Sequence, residues 1–156
     1  MKIFLPIILY VFTSVVQEAS SLWLLDVNNQ RSQMIENQSL AQAAQWHAEY
    51  IEANDYFSHC TKEGDCPNRI IKRFNCNHPY NENGNAVESL VRGTADARVA
   101  YNALINSPSH SQHLHGLNEM TRKQIYYGVG FSGTTFVFLS SESCWLKKRD
   151  NIPLFI

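Results

Sequence analysis

The chain has 156 residues, with 13 Lys and Arg against 14 Asp and Glu, a formal net charge of −1 and four cysteines. Near-neutral charge without a basic stripe or lysine run argues against a nucleic-acid footprint and against a polybasic membrane anchor. The length suits one domain with a single core.

The first residues have the form of a secretory signal. Lys2 supplies a short positive start, residues 3–16 are almost wholly apolar, and Ala19-Ser20-Ser21 offers small residues for cleavage near Ser21. The apolar run is short beside the roughly 20 residues a spanning helix needs. An uncleaved anchor is the competing reading. A signal peptide over 1–21 would leave residues 22–156 as one secreted domain, expected to be a monomer.

A first helix is expected over 24–31 and a second over 39–53, where Leu40, Ala44, His47 and Ile51 recur at helical spacing. His47, on that apolar stripe, is expected to be a hydrogen-bonded core residue. Residues 56–85 are rich in Asn, Pro, Gly and Cys, which marks loops, and His78 among them is expected to be exposed. A short helix over 67–74 is the exception, with Pro67 at its first position. Thr94 is suited to cap the next helix, whose apolar positions include Val99, Ala100, Ala103 and Leu104. Ser107 would cap a shorter one, begun by Pro108 and stopped by Gly116. After a polar link, 124–131 and 135–139 have the pattern of two strands joined by a turn at Ser132-Gly133-Thr134. The tail Leu146-Lys147-Lys148-Arg149 is a small basic patch, expected to be a solvated end.

Four cysteines behind a secretory leader favour two disulfides, with three pairings open. Cys60–Cys66, closing a tight polar loop, and Cys76–Cys144, tying the middle to the last strand, are preferred. The chain-entropy estimate gives about 4 kcal/mol for the long closure and about 2 kcal/mol for the short one. A zinc site built from the four thiolates has no C-x-x-C pair to support it.

Three segments taken in order carry a resemblance: Asn-Asp-Tyr-Phe-Ser-His ending at His59, Glu-Ser-Leu-Val-Arg-Gly starting at Glu88, and Ser-Pro-Ser-His ending at His110, followed by Gly128-Val129-Gly130. Together they resemble the CAP family, named for cysteine-rich secretory proteins, antigen 5 and pathogenesis-related 1, most closely its compact form. The stretch Val27-Asn28-x-x-Arg31 and the stripe of the second helix are similar to it as well. The resemblance implies an α+β fold, a CAP-type α-β-α sandwich in which helices flank a small antiparallel sheet. It also implies that His59, Glu88 and His110 meet in one cleft.

Two neutral imidazoles and a carboxylate suit zinc or another divalent ion and leave a position for water or ligand. The start of its helix would keep His110 neutral. Without a metal, Glu88 would orient one histidine and polarise a water. The chain also departs from the family. Leu104 stands where a helical tryptophan is usual, and Ser107 where larger members carry a second glutamate. The usual Glu-Asn pair is Glu88-Ser89, and the link from Arg31 to Leu40 is shorter.

His110, His113 and His115 also invite a three-histidine metal site. On a helix the first two lie about 60° apart while His115 points nearly opposite to His113. Asn37-Gln38-Ser39 is an N-glycosylation sequon. No Gly-x-Ser-x-Gly elbow is present. The favoured function is an extracellular binding module whose cleft takes a small ligand, a lipid or cell-surface component, or a divalent metal. The alternatives are a metal-assisted hydrolase using the same cleft and a structural domain with a vestigial polar trio.

Overall fold

The structure is a computed structural model that describes residues 17–19, 23, 27, 31 and 34–144. Most of the expected signal segment, its cleavage site, the greater part of the 24–31 helix and the basic tail lie outside the described residues. Residues 17–19, Trp23 and Val27 are helical, and Ala19, Trp23 and Val27 are buried in one core cluster. No helix among the described residues is long and apolar enough to cross a membrane.

The centre is a four-stranded sheet in the order β1-β4-β5-β3, from β1 (Ile35–Glu36), β3 (Glu88–Arg92), β4 (Tyr126–Ser132) and β5 (Thr135–Ser141). β4 and β5 form the expected hairpin, turned by Gly133 at φ 55°. β3 pairs antiparallel with β5, whereas β1 runs parallel to β4. Alternation along the strands divides the core in two. Val137, Leu139 and Leu90 face α1 (Gln38–Asn54), while Phe136, Phe138, Tyr127, Val129 and Phe131 face α3 (Ala97–Ile105) and α4 (Pro108–Leu114). Helices therefore cover both faces of a mostly antiparallel sheet, as an α-β-α sandwich requires.

α1 forms where its stripe predicts, burying Leu40, Ala43, Ala44, His47, Ala48 and Ile51. Asn37, of the sequon, caps it by accepting from the Leu40 amide, and Asp55 ends it in the left-handed conformation. Gly128 and Gly130 explain why helix and sheet come so close. A Cβ on either would overlap the backbone of Ala41 or Ala44, so only glycine lets β4 pass beneath α1 at this separation.

α2 (Pro67–Arg73) begins at Pro67 as expected. α3 differs from expectation. Its cap is Asp96, which accepts from the Arg98 and Val99 amides, while Thr94 only receives the Asp96 amide. The buried face is Ala97, Ala100, Tyr101 and Leu104, and Val99 and Ala103 turn to solvent. The buried face runs by steps of three and four from Ala97 to Ala100, Tyr101 and Leu104. The polar link contains a further helix, α5 (Glu119–Lys123), closed at its start by reciprocal bonds between Asn118 and Thr121. Arg31 donates through Nη2 to the carbonyls of Thr121, Arg122 and Gln124 at the other end.

The disulfides are Cys60–Cys66 and Cys76–Cys144. The second joins β2 (Cys76–Asn77) to β6 (Ser143–Cys144), a separate two-stranded ladder.

Candidate cleft at the edge of the sheet

β3 is an edge strand, and its first two residues address opposite layers of the sandwich. Glu88 points to the α1 side, where its Oε2 lies 2.5 Å from His47 Nδ1. Ser89 points to the α4 side, where its Oγ lies 2.7 Å from His113 Nδ1. Sequence reasoning leaves Glu88 a solvated loop carboxylate when the family is set aside. Its side chain is instead 1% exposed, because β3 holds it against the buried stripe of α1.

His59 follows the left-handed turn that ends α1 and immediately precedes the Cys60–Cys66 ring. Its Nδ1 sits 2.9 Å from Glu88 Oε1, so the carboxylate is held between two imidazoles. Asn85 braces the corner. Its Oδ1 accepts from the Val87 and Glu88 amides, and its Nδ2 lies 3.1 Å from the Glu88 carbonyl and 3.0 Å from His59 Nδ1. A charged acceptor outweighs a neutral amide at His59 Nδ1. The neutral ring therefore carries its proton on Nδ1, and its Nε2, across the ring from Glu88, keeps the lone pair.

His110 is the third residue of α4, half-buried, and lines the same cleft of about 200 Å³ as His59, Glu88, Ser89 and His113. Burial lowers its pKa, and the neighbouring His59 lowers it further. At neutral pH the ring is uncharged, for a reason other than the helix dipole alone. Ser107 stands before α4 in the cap position, but its side chain makes no capping bond.

His113 is buried between Ser89 and Ser140, its Nε2 2.7 Å from Ser140 Oγ. Burial first, then the Arg31 guanidinium and His110, push its pKa down to about 3. His115 turns away to Tyr101 and Ser111. The three histidines do not converge, as the helical spacing predicts.

His78 overturns its expectation. It is 4% exposed, its Nε2 bonded to the Asn68 carbonyl and its Nδ1 accepting from the Tyr80 amide. An Asn-rich loop conceals this partner from a sequence reading, because backbone acceptors leave no mark in composition. Leu104, at the usual tryptophan position, is core.

His47 is as expected in being buried and hydrogen-bonded, but its partner is Glu88. The sequence carries a signal for it: a polar group on the buried stripe of a helix needs a partner. Its Nε2 is buried without one, so a proton there would be stranded, and Nδ1 is the donor to Glu88.

As to metal, among the described residues no group of three or more His, Cys, Asp and Glu side chains has the arrangement of an ion site. Each Glu88 oxygen already faces an imidazole nitrogen, which leaves the rings of His59 and His110 as the donors lining the cleft.

No family model matches the sequence, and no curated protein matches it. Two solved structures are similar. One is an extracellular protein containing an SCP domain from Bacillus anthracis str. Ames, with a TM-score of 0.71 and 16% identity over 85% of this chain. The chain spans 42% of the length of that protein. The other is an outer surface protein from Borrelia burgdorferi, with a TM-score of 0.57, 20% identity, and coverage of 86% of this chain and 91% of that one. Both are extracellular or surface proteins, and two disulfides are consistent with an oxidising compartment. The chain has the SCP-domain fold, the fold of the CAP family that its sequence resembles.

Proposed function

We propose that this chain is a secreted binding module that captures a small ligand in the cleft between His59 and His110. The observation that supports this reading is the state of Glu88. A carboxylate with a side chain 1% exposed is costly by several kcal/mol unless it is bonded, and here both oxygens are met by imidazoles. The arrangement holds His59 through Nδ1 at the cleft. It also gives each carboxylate oxygen an imidazole partner, so Glu88 orients its neighbours.

A lipid or cell-surface component and a divalent ion are the occupants that the family resemblance adds. For zinc, His59 Nε2 and a His110 ring nitrogen are the donors, and Glu88 behind His59 is the carboxylate that sets the ring and raises its basicity. Two protein donors hold an ion less firmly than the four of a closed structural site.

The test is capture from native extracellular extract on the whole secreted protein, read by mass spectrometry beside the His59→Ala, His110→Ala double variant, with zinc titration by calorimetry on both. A bound species or binding heat that the double variant loses is expected. Equal capture and equal heat in the two proteins excludes this cleft. Turnover of an ester or peptide panel that disappears in Glu88→Gln, with the fold intact, replaces binding by catalysis.

A further inference from the structure

Ser89 stands at the end of a buried chain of hydrogen bonds whose direction is fixed from its far end. Gln124 Nε2 donates to the Ala86 carbonyl at 2.7 Å. That places Oε1 toward Ser140, whose hydroxyl donates to it at 2.6 Å. Ser140 has only one proton, so its oxygen must accept from His113 Nε2. His113 then carries its single proton on Nε2, and its bare Nδ1 accepts from the Ser89 hydroxyl. Reversal would set the Gln124 carbonyl oxygen against the Ala86 carbonyl oxygen, two acceptors in contact. A second proton on His113 would also reverse it, and burial of that ring opposes one.

Ser89 therefore offers the cleft lone pairs and no proton. The neutral His59 ring does the same through Nε2. Among the described residues that line the cleft there is one carboxylate, Glu88, and no Lys or Arg, while the Asn85, Gln112 and Asn118 amides, the Ser109 and Thr121 hydroxyls and the His110 ring carry both polarities. We infer that the cleft selects the ammonium group of a small primary amine, with Ser89 Oγ and His59 Nε2 as its acceptors, and rejects carboxylates and phosphates. An ammonium brings three donors and a positive charge to acceptors backed by a buried carboxylate. An anion would meet the charge of Glu88 with no cation among the lining residues to offset it.

This inference rests on the cleft being a ligand site. It is tested by NMR titration of the whole secreted protein in EDTA-containing buffer at neutral pH, with n-butylamine, butyrate and inorganic phosphate as ligands. The amine is expected to shift the His59 and His110 resonances while the two anions do not, and Ser89→Ala should weaken the amine about fivefold, the loss of one hydrogen bond. Gln124→Met, outside the cleft, should also weaken it by freeing the chain to reverse. Should either variant fail to fold, the wild-type imidazole nitrogen shifts decide: His113 protonated on Nε2 agrees, and protonation on Nδ1 overturns the inference. Butyrate or phosphate binding at these residues as well as the amine overturns it and leaves the binding module standing. The same holds if none of the three binds while capture from extract succeeds. If capture fails too, both readings fall.

Discussion

His113 shows how a residue with no place in the proposed contacts still governs the site. Its folded pKa of about 3 lies far below the ordinary 6.5. The unfolded chain therefore takes up a proton between these values that the folded chain refuses. The stability linked to this group is complete above about pH 6.5 and is lost as pH falls toward 3, at about 1.4 kcal/mol per pH unit. Chemical denaturation at stepped pH should show this slope, and His113→Gln should flatten it by one proton. The wild-type ring should stay neutral by NMR through pH 4. His59, Glu88 and His110 were legible because three short motifs in order point to them. The part of Ser89 and the partner of His47 were not, since one replaces a usual amide and the other matches a core pattern. Both acquire their meaning only from Glu88 and Ser89 facing opposite layers.

At the level of elements, the close approach of α1 and β4 sets the depth at which His47 meets Glu88. Gly130→Ala would drive a methyl into the backbone of Ala44, where no side chain can swing aside. The expected cost is about 3 kcal/mol or more, as for overpacking that backbone cannot relieve. Gly93→Ala has open space around its Cβ but a φ of 115°, and strain alone should cost it about 1–2 kcal/mol. Thermal unfolding of the two variants separates the effects, and an equal loss in both would refute the contact argument. The helix α1 and the β4–β5 hairpin announce themselves through period and turn residues. β3 does not. Glu-Ser-Leu-Val-Arg alternates weakly because both its polar residues at the start are buried by partners far away in the chain. The register of α3 went astray for a local reason, since Thr94 and Asp96 are both plausible caps by composition and only one accepts the free amides.

For the whole molecule, the two disulfides differ in reach. Cys76–Cys144 spans 68 residues and clamps the β2–β6 ladder, while Cys60–Cys66 spans 6 and lies beside His59. Cys144→Ser with Cys76→Ser should lower stability by about 4 kcal/mol in a denaturant titration. Opening the short ring should cost about 2 kcal/mol, and because it anchors the residue next to His59 it should weaken cleft binding more than the long closure does. The layered architecture was visible in the resemblance, while the parallel pairing of β1 with β4 was not, because two residues carry no periodicity.

Because neighbouring residues of β3 serve separate layers, the site doubles as a gauge of strand alignment. If β3 slid by one position along β5, so that Ser89 stood opposite Leu139, Ser89 would be handed to His47 and Glu88, opposite Ser140, would turn into the α4 layer, stranding a charge beside the buried His113. A chain misaligned in this way would forfeit both halves of the cleft at once, so an assembled cleft is itself a certificate that the sheet has closed in the right frame.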